Sequence, residues 1–148
     1  VLTMGVGVSS LLSQILAYEL TQVAINARSI SASPMRFVEQ LALAKKKDVV
    51  VGFSFPPYSR ETIDAAQFAK ERGAQVISVT DTLTSPMTYH ADRVIVVRSR
   101  NMLYTNSIAA ISIMMNAIVT QIALKNKKVI TPTMEMVSLQ MRKTGQYI

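Results

Sequence analysis

Short β-branched runs alternate with longer amphipathic stretches from the first residue of this chain onward. The short runs, at 1–4, 27–30, 48–54, 75–80 and 93–97, predict five strands, and helices fill the gaps between them. That alternation favours an α/β fold, a parallel sheet covered by helices on both faces. Val49 to Val51 and Val94 to Val97 are apolar at successive positions, which suits strands buried on both faces. Both runs are expected to be central.

Polar punctuation marks helix starts more clearly than helix ends. Ser9 or Ser10 can cap a helix running to about Val23, and Ser59 one that begins at Arg60 and stops at Gly73. Ser33-Pro34, Ser85-Pro86 and Thr131-Pro132 each offer a hydroxyl at the N-cap and proline at the first helical position. Lys45, Lys46 and Lys47 read as a solvated helix end, well placed against the dipole. From Asn106 to Leu124 the predicted helix is apolar on nearly every side, more than one sheet face can cover. It is expected to lie in the interface of a dimer or tetramer; the alternative is a core helix covered by 134–141. Its most apolar part, from Ile108 to Leu124, falls short of the roughly 20 residues of a typical membrane span and carries Asn116, Thr120 and Gln121. No membrane partner is expected.

In open parallel sheets ligands bind beyond the carboxyl ends of the strands, where the strand order reverses; in a flavodoxin-like order that point lies between the first and third strands. Two polar loops follow those strands, Gly5-Val6-Gly7-Val8-Ser9-Ser10 and Ser54-Phe55-Pro56-Pro57-Tyr58-Ser59-Arg60-Glu61-Thr62. Each leads into a helix N-terminus, where unpaired N–H groups and the positive dipole end favour an anion. Gly5 and Gly7 let the backbone approach it closely. The hydroxyls of Ser9, Ser10, Ser54, Ser59 and Thr62 can then donate to phosphate oxygens. The plainer reading makes the glycines an ordinary turn and the serines N-caps, but two hydroxyl-rich loops at one switch point favour a site. A dinucleotide fold competes through Gly5-x-Gly7-x-x-Ser10, yet the second strand ends in Arg28-Ser29-Ile30 without the acid that would hold a ribose. No cofactor is expected.

Composition narrows the chemistry further. The 148 residues, 49% of them hydrophobic, suffice for one domain with a full core. With no cysteine and a single histidine, His90, thiol chemistry and multi-histidine metal sites drop out. The net charge of +7 favours an anionic ligand or partner. The cations cluster at predicted helix ends, at Lys45–Lys47, Lys125, Lys127, Lys128, Arg142 and Lys143, without a groove-reading motif or interleaved aromatics. The N-terminus reads as a first strand and not as a secretory leader, so a cytoplasmic location is expected.

The run from Asp48 to Thr88, VVVGFSFPPYSRETIDAAQFAKERGAQVISVTDTLTSPM between them, followed by Ala91-Asp92-Arg93-Val94-Ile95-Val96-Val97, resembles the sugar isomerase (SIS) domain. It is most similar to the version fused to RpiR-type bacterial transcription regulators. The opening GVGVSS and the third loop, from Thr80-Asp81 to Ser85-Pro86, fit the same pattern. The resemblance implies a flavodoxin-like three-layer sandwich with a five-stranded parallel sheet, spanning 1–148 as a single domain that senses a phosphosugar. It implies Gly7, Ser9, Ser10, Ser54, Ser59 and Thr62 as the ligand-binding set, and DNA binding only through an N-terminal helix-turn-helix domain that this chain lacks. Pro56 and Pro57 depart from the serine and glycine common in SIS enzymes, removing a side-chain donor and two N–H groups.

An aldose–ketose isomerase of the same family is the alternative, and it needs a positioned base. The candidates are Glu19, Glu39, Glu61, His90 and Glu135, none with an evident partner. No catalytic residue and no metal site are therefore expected.

Overall fold

The computed structural model describes residues 1–32, 34–99 and 107–145. Its sheet consists of β1 (Leu2–Met4), β2 (Arg28–Ser29), β3 (Val49–Ser54), β4 (Gln75–Thr80) and β5 (Arg93–Val96). All pairings are parallel and the order is β2-β1-β3-β4-β5, so the reversal falls between β1 and β3. Helices α1 (Val8–Gln22), α2 (Phe37–Leu41), α3 (Arg60–Glu71), α4 (Ile108–Lys125) and α5 (Lys127–Lys143) join a one-turn 3₁₀ helix at Pro86–His90. The sheet alternation splits the core in two. Met4 and Val50 face α2 and α3, meeting Phe37, Leu41, Ala65, Ala66 and Ala69. Val51 and Phe53 face α1 and α4, meeting Leu12, Leu16, Ile111 and Met115. This is the expected three-layer sandwich.

Several expectations need correction. The β5 run is not central: it pairs only with β4, and Val96 is 42% exposed. Ile95 and Val97 turn into the core on the α1 and α4 side, while the alternate face, with Val96, has little above it. An apolar run therefore reports two faces to cover, not a place at the centre. Helix α1 is capped by Gly7, and Ser9 and Ser10 lie within its first turn. Lys45 to Lys47 lie in no helix, because α2 ends at Leu41 and the Asp48 carboxylate accepts the Lys45 N–H at 2.8 Å, closing a turn into β3.

The three proline signals also divide. Ser85-Pro86 starts the 3₁₀ helix as expected. Ser33 lies outside the described residues, and α2 begins only at Phe37 with Arg36 as its N-cap, beyond Pro34. Pro132 does not start a helix but sits inside α5, which begins at Lys127 directly after the break at Asn126. It forfeits one backbone hydrogen bond there.

Asn106 lies outside the described residues, and α4 starts at Ile108. The alternative of a core helix covered by 134–141 does not hold. Helix α5 buries none of its residues, and in α4 only Ile111 and Met115 are buried. By length and apolarity α4 also passes for a membrane span, with a mean hydropathy of 1.6. It packs on α1 in the sandwich.

At the edge, Asp92 ties β5 into the sheet from both ends of the residue. Its N–H donates to the Val76 carbonyl, and its carboxylate accepts the Val76 N–H, each at 2.8 Å. That backbone hydrogen bond, with Lys70 and Arg93 nearby, holds the carboxyl below the usual aspartate range against a smaller cost of burial. A carboxylate with a depressed folded value stabilises above its unfolded pKa and loses that contribution as pH falls through the folded one. Asp92→Asn is expected to cost about 1 kcal/mol at neutral pH. The gap between wild type and variant, followed by denaturant melts, should close on acidification.

Candidate functional site

The carboxyl ends of β1 and β3 open onto the two predicted loops. Gly5 ends buried against the first turn of α1, and a Cβ there would stand 2.6 Å from the Ser9 carbonyl oxygen. Only glycine lets β1 turn so tightly into α1. Gly7 adopts φ +63°, with open space around its Cα, so backbone conformation and not crowding fixes its identity. Ser9 and Ser10 follow in the first turn. The Ser10 hydroxyl donates to the Gly7 carbonyl at 2.8 Å, which commits its proton within the loop.

The second loop leaves β3 at Ser54 and enters α3 at Arg60, with Ser59 as N-cap. Ser59 makes no side-chain capping bond. The first intrahelical bond runs from the Ile63 N–H to the Ser59 carbonyl, so the N–H groups of Arg60, Glu61 and Thr62 have no partner within the helix. Ser54 and Thr62 are 3% and 1% exposed, and neither hydroxyl has a hydrogen-bond partner. Leaving a buried hydroxyl unsatisfied costs roughly 1–3 kcal/mol, and two such groups flank the same helix N-terminus. Both side chains are buried. Arg60 is offset by Asp64 at 3.7 Å, an exposed i,i+4 pair. Amides and hydroxyls, not cations, therefore dominate the loop between β3 and α3.

Tyr58, Asp81 and Arg98, none of them in the expected binding set, stand beside these loops. A cleft of about 810 Å³ is lined by Pro56, Tyr58, Asp81, Thr82, Thr84 and Arg98. That volume falls in the range of small-molecule sites. The Tyr58 hydroxyl donates to Asp81 Oδ1 at 2.7 Å, tying the loop after β3 to the loop after β4. Thr80 reinforces the tie by donating to the Ser54 carbonyl at 2.6 Å. The available signal was positional: Asp81 directly follows β4, and Arg98 stands just past β5, both at carboxyl ends of strands.

The candidate bases scatter. Glu19 lies ten residues beyond Ser9 in α1, about 15 Å along the helix axis. Burial pushes its carboxyl up, and Oε2 has no partner. His90 closes the 3₁₀ helix two residues before Asp92, which is bonded to the start of β4, so it sits at the amino end of the sheet. Glu39 accepts the Arg36 N–H at the start of α2, and Glu135 is exposed on α5. Only Glu61 stands at the ligand end, in the first turn of α3. Among the described residues no cluster of His, Asp and Glu could hold a metal.

The description "SIS domain" fits residues 1–121. The chain belongs to the SIS domain family. Its SIS domain is 32% identical over 92 residues to an HTH-type transcriptional regulator of Haemophilus influenzae whose function is uncharacterised, a match covering 62% of this chain. The chain spans about a third of that regulator's length, 32%. The sugar isomerase domain of an RpiR transcription factor from Sphaerobacter thermophilus has the same fold, with a TM-score of 0.87 and 24% identity. That match covers 93% of this chain and 76% of the other. The Vibrio vulnificus NanR protein, solved in complex with ManNAc-6P, gives a TM-score of 0.77 and 21% identity, covering 95% of this chain and 55% of that one. Proteins described as phosphosugar or sugar-phosphate isomerases share the SIS fold too, at TM-scores of 0.66 to 0.73.

Proposed function

We propose that this SIS domain is the phosphosugar-sensing part of a cytoplasmic transcription regulator and is not itself an enzyme. The observation that carries the reading is that the loop into α3 holds two buried hydroxyls without a partner in the protein, on Ser54 and Thr62, and an N-cap serine, Ser59, that makes no capping bond, where the first N–H groups of α3 have no partner within the helix. A phosphate dianion supplies acceptors for all of them, and the dipole of α3 favours its charge. Ser9 and the amides beside Gly7 close the other side of the phosphate, and Ser10 supports that loop. The Haemophilus regulator and the ligand carried by NanR support the same direction. The isomerase reading is weaker because Glu19 and His90 lie far from the loops within the chain, which leaves Glu61 at the helix start and Asp81, whose carboxylate is engaged by the Tyr58 hydroxyl.

Sensing requires a second state. Helix α4 exposes Ile108, Ile113 and Leu124, and α1 beside it exposes Leu11, Ile15 and Tyr18 at i, i+4 and i+7. These residues form the face of a homodimer in this reading. Phosphosugar binding favours one subunit arrangement by no more than its difference in affinity for the two. DNA is contacted by a helix-turn-helix domain outside 1–148, and the domain as a whole uses no cofactor.

Hydrogen exchange tests the placement. Saturating phosphosugar is expected to slow exchange at the Arg60, Glu61 and Thr62 amides, which have no acceptor in the ligand-free protein. Protection elsewhere, with these amides unchanged, would place the ligand at another site.

A further inference from the structure

We propose that Arg98 recognises a second anionic group on the ligand, so that the preferred effector is a phosphosugar bearing a carboxylate or a second phosphate. This rests on the phosphosugar reading and goes beyond it by naming the class of sugar. The argument begins with the cleft beside the phosphate loops. Pro56 and Tyr58 line it and also belong to the Ser54–Ser59 loop, so a ligand held at the N-terminus of α3 extends directly into it.

Two charged side chains of opposite sign line that cleft, yet they are not paired. Asp81 Oδ1 accepts from the Tyr58 hydroxyl at 2.7 Å, while the Thr80 hydroxyl, 3.3 Å away, gives its proton chiefly to the Ser54 carbonyl. The second carboxylate oxygen remains for a sugar hydroxyl. Arg98 forms no ion pair or hydrogen bond with any described residue. Apart from Pro56, the other walls of the cleft are hydroxyl-bearing side chains and a carboxylate, which leaves Arg98 as its one cationic group among the described residues. Its planar fork of donors suits a carboxylate or phosphate held at two points.

Position supplies the spacing. Arg98 follows β5, two strands from β3, a separation of about 10 Å across the sheet. An open-chain six-carbon sugar with its phosphate at one end and an acid at the other has that reach. Asp81 and Thr82, between them on the β4 loop, meet the hydroxyls along the chain. A neutral aldose phosphate of the same length leaves Arg98 without a partner.

The test is a titration of the wild-type protein with glucose 6-phosphate, 6-phosphogluconate and fructose 1,6-bisphosphate at one ionic strength, repeated with Arg98→Gln. The two doubly anionic ligands separate carboxylate from phosphate as the recognised group. At least one is expected to bind about tenfold or more tightly than glucose 6-phosphate, the worth of a charge-assisted pair. Arg98→Gln should bring that ratio near unity, and Arg98→Lys should restore part of it. Arg98 is exposed, so its replacement is expected to leave the fold intact, and melting of the variant separates misfolding from lost recognition. A ratio near unity in the wild type, or one that survives Arg98→Gln, overturns the inference and leaves the phosphosugar reading standing. If none of the three ligands nor any other sugar phosphate binds, that reading falls and takes the inference with it.

Discussion

Ser59→Ala is expected to weaken phosphosugar binding tenfold to a hundredfold, roughly the worth of one charge-assisted hydrogen bond, while barely moving the melting temperature. The second half of that expectation reverses the usual one. Removing an N-cap serine ordinarily costs about 1 kcal/mol, because its oxygen holds an N–H of the first turn. Ser59 makes no such bond, so little stability depends on its hydroxyl. Thr62→Val sharpens the contrast. Valine keeps the shape and helix propensity of threonine, but removes a buried hydroxyl that has no partner in the ligand-free state. The empty protein is expected to gain up to about 1 kcal/mol, a rise of a few degrees in melting temperature, as its affinity falls. Stability lost with affinity intact, in calorimetry of both variants, would mark these hydroxyls as parts of the scaffold.

Ile113→Asp is the second large effect. Ile113 is 71% exposed in the single chain, on a helix whose mean hydropathy of 1.6 belongs to a covered element. A carboxylate placed there costs the isolated chain only about 0.5 kcal/mol of helix propensity, but is buried without a partner when two chains meet. Such a charge costs several kcal/mol, enough to weaken self-association by at least about a hundredfold. Sedimentation at micromolar concentration should find the wild type at twice the chain mass and the variant at the chain mass, both folded. A monomeric wild type would remove the interface, and with it the proposed route from ligand to subunit arrangement.

The sequence was most legible where local signals coincide. Gly5, Gly7 and the serines after them announced the strand-to-helix turn from β1 into α1, and β3 and β4 appeared within a residue of their expected limits. The failures have a common cause in competition from contacts the local pattern does not contain. Val94 to Val97 are apolar whether β5 has one neighbour or two, so hydrophobicity could not distinguish edge from centre. Pro132 looked like a helix start, but the chain had re-entered a helix after Asn126. Lys45 looked like a helix end, but Asp48 had captured its N–H. The Tyr58–Asp81 bond joins loops separated by a strand and a helix, and Arg98 enters the same cleft from a further strand. Topology alone brings these three together.

The central claim is that a phosphorylated sugar binds between the loops of Ser9 and Ser59. Its most direct measurement is thermal melting of the protein with a panel of hexose, hexosamine and sugar-acid phosphates, each beside its unphosphorylated counterpart. A true effector at a hundredfold excess over its dissociation constant adds about 2.7 kcal/mol, roughly 5–10 °C in a domain of this size. At least one phosphorylated member should produce that rise, its unphosphorylated counterpart should not, and Ser59→Ala should remove about half of it or more. A panel that leaves the melting temperature unmoved, or that acts equally with and without the phosphate, would contradict the account.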